Sequence, residues 1–229
     1  MPAFRGVGAV LTDIEGTISP LAFVREVLFP YAREALPGFL RAHADDPEVR
    51  PWRERLAAEL GSGDLELQIA ALLRWSDEDR KHPVLKALQG MVWRRGYGEG
   101  RFRAPICADA LERLRAWRQA GLALHVYSSG SVEAQRLFFA HSEHGDLTGL
   151  FDRLFDTGVG PKTEPASYAR ILEEIGRAPG SVLFLSDLPA ELDAARTAGL
   201  RTARLVREGR PDPRAAHPEV ASFAEIEIA

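Results

Sequence analysis

The stretch VGAVLTDIEGT, residues 7–17, decides the fold class of this chain. Its first five residues are apolar and predict a buried strand. Two carboxylates, Asp13 and Glu15, and a glycine follow at the end of that strand. Two like charges two residues apart have two interpretations. They belong either to a solvated loop or to a site for a divalent cation in which one carboxylate is a nucleophile.

Bulk composition narrows the class of protein. The chain has 229 residues, of which 45% are hydrophobic and 27% charged, with a formal net charge of -4. There is no basic stripe with interleaved aromatics, so we expect no nucleic-acid partner. The single cysteine, Cys107, excludes an internal disulfide, as is usual in a reducing compartment. No apolar run reaches the roughly 20 residues of a membrane span and no secretory signal is present. We therefore expect a soluble, cytoplasmic protein without a membrane partner.

Hydrophobic periodicity divides the chain into three parts. After the first strand, residues from about 21 to 104 carry apolar side chains at helical spacing, interrupted by Pro37, Gly61, Gly63 and Pro83. From about residue 105 onward, predicted helices and strands alternate, which is typical of a parallel sheet. One strand alone cannot bury both faces, so the first strand belongs with the third part. We expect an α/β fold with a doubly wound parallel-sheet core (residues 1–19 and 105–229) and an inserted, all-helical cap domain (residues 20–104).

Chemically useful side chains stand at four predicted strand ends. In open α/β sheets ligands bind outside the carboxyl ends of the strands, so these groups are expected at one edge. Each has an ordinary alternative: Ser128 and Ser129 could cap a helix, and Lys162 could lie on the surface. Together they predict a phosphate and metal site, with these members: Asp13, Glu15, Ser128, Ser129, Lys162, Asp187 and Glu191.

These residue types suit the hydrolysis of a phosphate monoester. Asp13 and Asp187 can supply carboxylates to Mg²⁺, a hard cation that prefers oxygen ligands. Ser128 or Ser129, with the amides of the following helix, can hold phosphate oxygens. Lys162 offsets the charge that develops in the transition state. Asp13 then attacks phosphorus in line and forms an acyl-phosphate, which water hydrolyses.

The pattern of Asp13, Glu15 and Thr17, a serine after the next strand, Lys162, and Asp187 with Glu191 resembles the four motifs of the haloacid dehalogenase-like hydrolases. The first motif of that superfamily is usually DxDxT, so Glu15 is a departure. DIEGT, LFPYA, YSSGSVEAQ and LFLSDLPAELDAA are similar to the enolase-phosphatases, or acireductone synthases, of methionine salvage. Ile18 and Ser19 stand where threonines are expected in that family.

The resemblance implies a bifunctional, Mg²⁺-dependent enzyme. It would enolise 2,3-diketo-5-methylthiopentyl-1-phosphate and then remove the phosphate to give the acireductone, 1,2-dihydroxy-3-keto-5-methylthiopentene. It implies a cytoplasmic monomer with one Mg²⁺. Asp13 is then a metal ligand and the nucleophile, and Lys162 binds phosphate. Glu15 occupies the position of the general acid/base, and its longer side chain favours metal ligation. Asp187 completes the metal shell, and Glu191 is expected to orient a metal-bound water.

Several alternatives stay open at this point. The site would look nearly the same in a phosphatase of this superfamily that acts on another small ester without enolisation. A non-catalytic phosphate-binding module is disfavoured, because it has no use for a nucleophile beside its metal. A dehalogenase is disfavoured, because it does not need the metal-binding carboxylates. The enolisation base is either Glu15 or a residue of the cap. The glycine-rich residues 93–102 are a hinge or a substrate loop.

Overall fold

The computed structural model describes all 229 residues. The chain forms two compact units. We call Met1–Leu21 with Arg103–Ala229 the sheet unit, and Ala22–Phe102 the helical unit. The helical unit is continuous in sequence and interrupts the sheet unit once. No helix combines the length and the apolarity that a membrane span requires.

All strands belong to the sheet unit, and six of them form one parallel sheet in the order β4-β3-β2-β5-β6-β7. The predicted parallel α/β fold is therefore confirmed. The strands are β1 (Ala3–Phe4), β2 (Ala9–Thr12), β3 (Ala123–Tyr127), β4 (Arg153–Phe155), β5 (Val182–Ser186), β6 (Arg201–Leu205), β7 (Glu219–Val220) and β8 (Glu227–Ile228). β1 and β8 pair separately. These two and β7 have two residues each, too few for a periodic signal in the sequence.

The helices lie between the strands in the sheet unit, and in the helical unit they are joined by short connections. They are α1 (Leu21–Phe23), α2 (Phe29–His43), α3 (Arg50–Leu60), α4 (Leu65–Asp77), α5 (Pro83–Gly98), α6 (Ala108–Gln119), α7 (Val132–Ala140), α8 (Pro165–Ile175) and α9 (Pro189–Thr197). A π-helical turn, Val24–Leu28, leads into α2, and short 3₁₀ turns are Thr148–Leu150, Pro179–Ser181 and Phe223–Glu225.

The central strand β2 positions the site. It pairs in parallel with β3 on one side and with β5 on the other, and all four of its residues are buried. From β2 the chain winds outward through β3 and β4, then returns to the other side for β5, β6 and β7. The direction of winding therefore reverses at β2. The carboxyl ends of the strands at such a reversal border the crevice where open α/β sheets bind ligands.

Each unit has its own apolar core. In the sheet unit, β2, β3 and β5 pack against α8 and α9 through a cluster that includes Leu11, Tyr127, Tyr168, Ile171, Phe184 and Leu192. In the helical unit, α2 to α5 share a second cluster that includes Leu36, Leu40, Leu56, Leu72, Trp75 and Leu88. Burial at three- and four-residue steps explains why these segments are helical.

Two expectations about the helical unit were wrong. Pro37 lies inside α2 and does not end it. A proline in a helix interior removes one backbone hydrogen bond, but Leu36 and Leu40 on either side are fully buried, and their packing keeps the helix continuous. The segment at 93–102 is also helical as far as Gly98, so no loop begins before that residue.

The arginines of that segment are neutralised within the helical unit. They form these ion pairs: Arg94 with Glu48, and Arg95 and Arg101 with Glu99. Phe102 packs edge-on against Tyr31, with ring centroids 4.9 Å apart, and against Tyr97 at 4.6 Å. The end of α5 is therefore held by aromatic contacts and charge pairs. A hinge role for this segment stays a prediction.

Gly96 in α5 is required by this aromatic packing. A Cβ at this position would lie 2.7 Å from Tyr31 Cε1 and 2.8 Å from Phe102 Cζ. We expect Gly96→Ala to lower the free energy of unfolding by about 1–3 kcal/mol through overpacking. The matched control is Gly90→Ala in the same helix, where no atom lies within 4 Å. It should raise the free energy of unfolding by about 0.5–1 kcal/mol. Urea denaturation measures both, and stabilisation by both variants would contradict this packing argument.

His125, within β3, makes stability depend on pH. It is buried and its Nδ1 has no hydrogen-bond partner. Burial lowers its pKa from 6.5 to about 4. Between these two pH values the unfolded chain binds a proton here and the folded chain does not, so lowering the pH destabilises the fold. We expect His125→Leu to remove on the order of 2 kcal/mol of that pH-dependent loss. Parallel pH dependences of unfolding for the two proteins would contradict this.

Candidate active site

Lys162 bridges two carboxylates at the carboxyl edge of the sheet. Its Nζ lies 2.5 Å from Asp13 Oδ1 and 2.7 Å from Glu191 Oε2. All three side chains are buried, with between 5% and 8% of their surface exposed. Asp13 directly follows β2, and its amide donates to the carbonyl of Leu185 in β5. Glu191 comes from the first turn of α9 and accepts a hydrogen bond from Ser186 at the end of β5.

The turn that carries Lys162 is held by side chains of the core. The Tyr168 hydroxyl donates to the Lys162 carbonyl at 2.7 Å, and the Tyr127 hydroxyl donates to the Gly160 carbonyl at 2.8 Å. The Ser167 hydroxyl donates to the Pro161 carbonyl. Gly160 has a φ of +130°, and a Cβ there would overlap Ser167. The lysine is thus fixed by its backbone as well as by its two carboxylate partners.

Glu15 and Ser128 form a second contact at the same edge. The Ser128 hydroxyl donates to Glu15 Oε2 at 3.1 Å, and Ser128 Oγ accepts from the Gly130 amide. Ser131 caps α7 by accepting from the Ala134 amide. Ser128 therefore contacts Glu15 and does not cap the helix, whereas Ser129 is exposed in the adjoining turn.

The amides at the start of α7 are partly occupied by side chains. Gly130 donates to Ser128, Val132 donates to Asp156, and Ala134 donates to Ser131. The sequence predicts that this helix start holds phosphate oxygens together with Ser128 or Ser129. With these three amides engaged, fewer donors are left for an anion than at an uncapped helix start.

Asp187 follows β5 and lies against the backbone of the loop after β2. Gly16 in that loop has a φ of +73°, and a Cβ on it would overlap the Asp187 carboxylate. Only glycine combines this backbone conformation with so close an approach. Asp187 Oδ1 is buried and has no hydrogen-bond partner. A buried carboxylate oxygen without a hydrogen-bond partner is available to bind a ligand.

Negative charge dominates the site. Burial, together with the charge of Asp13, raises the pKa of Glu15 and of Asp187. The same causes, burial first, raise the pKa of Glu191 to about 7. Burial works against the charged form of Lys162, but Asp13 and Glu191 outweigh it and raise the pKa of the ammonium to about 12. Lys162 therefore stays protonated, and it contacts two of the four carboxylates.

The donor set fits a hard cation. Mg²⁺ in phosphate-processing sites is usually held by one or two carboxylates, waters and the substrate phosphate. Asp13 and the unpartnered Asp187 meet that requirement. No three His, Cys, Asp or Glu side chains are grouped so as to enclose a metal by themselves. Glu15, expected as a further ligand, has its carboxylate bonded to Ser128.

The structure brings most of the sequence-predicted residues together and assigns them partners. Glu191 was expected to orient water, and its carboxylate contacts Lys162 and Ser186. No role was predicted for Ser186 or Tyr168, which hold Glu191 and the Lys162 backbone. Ser186 adjoins Asp187 in the predicted strand end, so its position was a usable signal. Tyr168 lies mid-helix, and nothing in the local sequence marks it.

Sequence comparisons place the chain among hydrolases. A family model described as haloacid dehalogenase-like hydrolase matches residues 7–199. A protein named enolase-phosphatase E1 from Xylella fastidiosa is 52% identical, over 95% of this chain and 97% of its own length. A protein of the same name from Pseudomonas aeruginosa is 53% identical, over 97% of this chain and 99% of its own length.

Solved structures agree with the sequence comparisons. The UTR4 protein of Saccharomyces cerevisiae is similar with a TM-score of 0.81 and 35% identity, covering 96% of this chain and 99% of that one. CbbY from Rhodobacter sphaeroides, solved with phosphate, has a TM-score of 0.60 at 20% identity, with 96% of both chains covered. The similarity to CbbY, at this low sequence identity, shows a shared fold and nothing more.

Replacing Lys162 by methionine tests how far the site depends on the lysine. The variant leaves Asp13 and Glu191 buried without their cation, so we expect the free energy of unfolding to fall by about 3–5 kcal/mol. Lys81→Met is the matched control, because the Lys81–Asp79 pair is exposed and such pairs contribute little. Chemical denaturation at neutral pH measures both. Equal stability of the two variants would contradict the structural role of Lys162.

Proposed function

The chain belongs to the haloacid dehalogenase-like hydrolases and, among them, to the enolase-phosphatases. On that premise we propose that it converts 2,3-diketo-5-methylthiopentyl-1-phosphate into the acireductone and phosphate in methionine salvage. The observation that carries the proposal is the Asp13 carboxylate, fixed by Lys162 at the reversal point of the sheet. The proposal includes a monomeric, cytoplasmic enzyme whose partner is a small phosphate ester, without nucleic acid or membrane. It also assigns the helical unit as the inserted cap domain.

Asp13 is the proposed nucleophile. Its carboxylate forms a bond to phosphorus while the bond between phosphorus and the ester oxygen breaks. Lys162 holds Asp13 Oδ1 in place and supplies positive charge beside the transferring phosphoryl group. Tyr168 and Glu191 keep the lysine there, so the nucleophile does not depend on substrate for its position.

Glu15 is the proposed acid/base. Its raised pKa favours the protonated form, which can donate a proton to the departing ester oxygen. The resulting carboxylate then takes a proton from the water that attacks the phosphorus of the acyl-phosphate. This regenerates Asp13 and releases phosphate. The contact with Ser128 orients the Glu15 carboxylate for this task.

Asp13 and Asp187 would hold one Mg²⁺. When bound, the ion screens the dianionic phosphate from the attacking carboxylate and acts as a Lewis acid. Gly16 keeps the backbone close to Asp187, so that carboxylate stays at the edge of the site. Within the sheet unit, Glu15 is the candidate for the base that removes the proton in enolisation.

The decisive experiment is a time course on the diketo phosphate with purified protein and Mg²⁺. Enol absorbance and free phosphate are recorded together, and EDTA provides the metal-free control. We expect an enol signal that precedes phosphate and no phosphate with EDTA. Phosphate from other esters, without an enol signal, would instead support a phosphatase of the same superfamily with another substrate.

Asp13→Asn tests the nucleophile in the same assay. The amide cannot form the acyl-phosphate, so we expect phosphate release to fall by at least about 1,000-fold. The fold should be retained, because Lys162 keeps its contact with Glu191. Asp146→Asn, at an exposed turn, is the matched control and should release phosphate at the normal rate. Phosphate release by D13N within a few-fold of the unmodified enzyme would overturn the assignment.

A further inference from the structure

The Thr17 carbonyl, in the loop after β2, accepts no hydrogen bond from the amides of that loop. Within the loop the amides of Thr17, Ile18 and Ser19 all donate to the Ile14 carbonyl. The Thr17 carbonyl belongs to a fully buried residue, and a buried carbonyl requires a donor. That donor comes from Arg207, 190 residues away in sequence.

Two nitrogens of Arg207 donate hydrogen bonds to this carbonyl. Its Nε lies 2.9 Å and its Nη2 2.6 Å from the Thr17 oxygen. Its Nη1 donates to both carboxylate oxygens of Asp109, at 3.0 and 2.8 Å. The guanidinium also lies over the ring of Phe223, with 5.4 Å from Cζ to the centroid. Arginine alone can satisfy these acceptors in one plane, because its donors form a rigid fork.

Asp109 is held in place by hydrogen bonds of its own, and it therefore fixes the position of the Arg207 guanidinium. Its Oδ2 accepts from the Ser222 hydroxyl and from the Phe223 amide, both at 2.8 Å. Burial opposes ionisation of this carboxyl, but these bonds and Arg207 hold its pKa below the ordinary value. A charged carboxylate at this place keeps the guanidinium oriented toward the Thr17 carbonyl.

A second arginine repeats the arrangement at Asp187. Arg204 Nε donates to the Asp187 carbonyl at 2.9 Å, and its Nη1 donates to Glu219 Oε1 at 2.8 Å. Arg204 lies in β6 and Arg207 lies just beyond its end. Each arginine thus joins a carboxylate partner to the backbone of a loop that carries a site carboxylate.

We infer that Arg207 and Arg204 are positioning residues, Arg207 for the loop that follows Asp13 and Arg204 for the loop of Asp187. Neither side chain is assigned a contact with substrate. The inference rests on the proposed function where it concerns turnover. It stands on the structure alone where it concerns the order of the two loops. Arg207 is the side-chain donor to the Thr17 carbonyl, whereas the neighbouring Ile18 carbonyl accepts from the Cys107 amide, so loss of Arg207 loosens the loop at Thr17.

The experiment compares Arg207→Met, Arg207→Lys and Arg204→Met with the unmodified enzyme. Methionine keeps much of the apolar stem and removes the donors. Arg201→Met is the matched control, since Arg201 also donates to a carbonyl, that of Gly180, at the opposite end of β6. Hydrogen exchange is measured on peptides that cover residues 13–19 and 185–191. Phosphate release gives kcat and KM per folded molecule.

We expect R207M to exchange at least about tenfold faster in peptide 13–19 and to lose about 10- to 100-fold in kcat, with KM within a few-fold. R207K should recover part of both, and R201M should change neither. R204M should show the same effects with faster exchange in peptide 185–191. Unchanged exchange, or unchanged kcat in a variant with faster exchange, would overturn the inference.

The hydrogen-exchange measurement does not depend on substrate. If the unmodified enzyme fails to turn over the diketo phosphate, the proposed function fails, while the exchange result still decides whether the arginines order the loops. If R207M does not fold, Asp109→Asn replaces it. D109N leaves Arg207 able to donate to Thr17 without its ionic support, and it should produce smaller changes in the same two readouts. No change in either readout for D109N would count against the inference.

Discussion

The buried contact of Lys162 with Asp13 and Glu191 is the interaction on which the rest of the site depends. An ammonium and two carboxylates are removed from water here, which is unfavourable unless each is well paired and hydrogen-bonded. The surrounding structure meets that condition. Tyr168 binds the lysine backbone and Ser186 binds Glu191. The geometry of Asp13, the proposed nucleophile, is therefore set by the folded core.

The parallel sheet makes this convergence possible. Asp13 and Lys162 are 149 residues apart in sequence, yet they meet because parallel strands bring all their carboxyl ends to one edge. The reversal of winding at β2 leaves the two neighbours of that strand free to contribute Ser128 and Asp187. One strand order thus supplies the carboxylate of Asp13, a hydroxyl group and a second carboxylate from three adjacent strand ends.

The same edge concentrates more negative charge than its lysine offsets. Burial and the mutual proximity of the carboxylates raise the pKa of Glu15, Asp187 and Glu191. Such a site is electrostatically unfavourable without a cation and becomes favourable when one is bound. Two apolar cores, one in each unit, stabilise the fold and offset the unfavourable electrostatic free energy of these carboxylates. The core of the sheet unit also holds the site, because Tyr127 and Tyr168 belong to it and bond the turn that carries Lys162.

The sequence by itself determined the parallel sheet, the place of the helical segment in the chain order, and that Asp13, Lys162 and Asp187 each follow a strand of that sheet. Hydrophobic period and strand-end chemistry are local properties, so they can be read from neighbouring residues. Only the tertiary structure decided that Glu191 meets Lys162, that Ser128 meets Glu15, and that α2 continues through Pro37. These outcomes depend on side-chain packing between elements distant in sequence, where long-range contacts outweigh local preference. The arginines beyond β6 are of the same kind, because their acceptors are backbone carbonyls, which every residue carries and no sequence pattern marks.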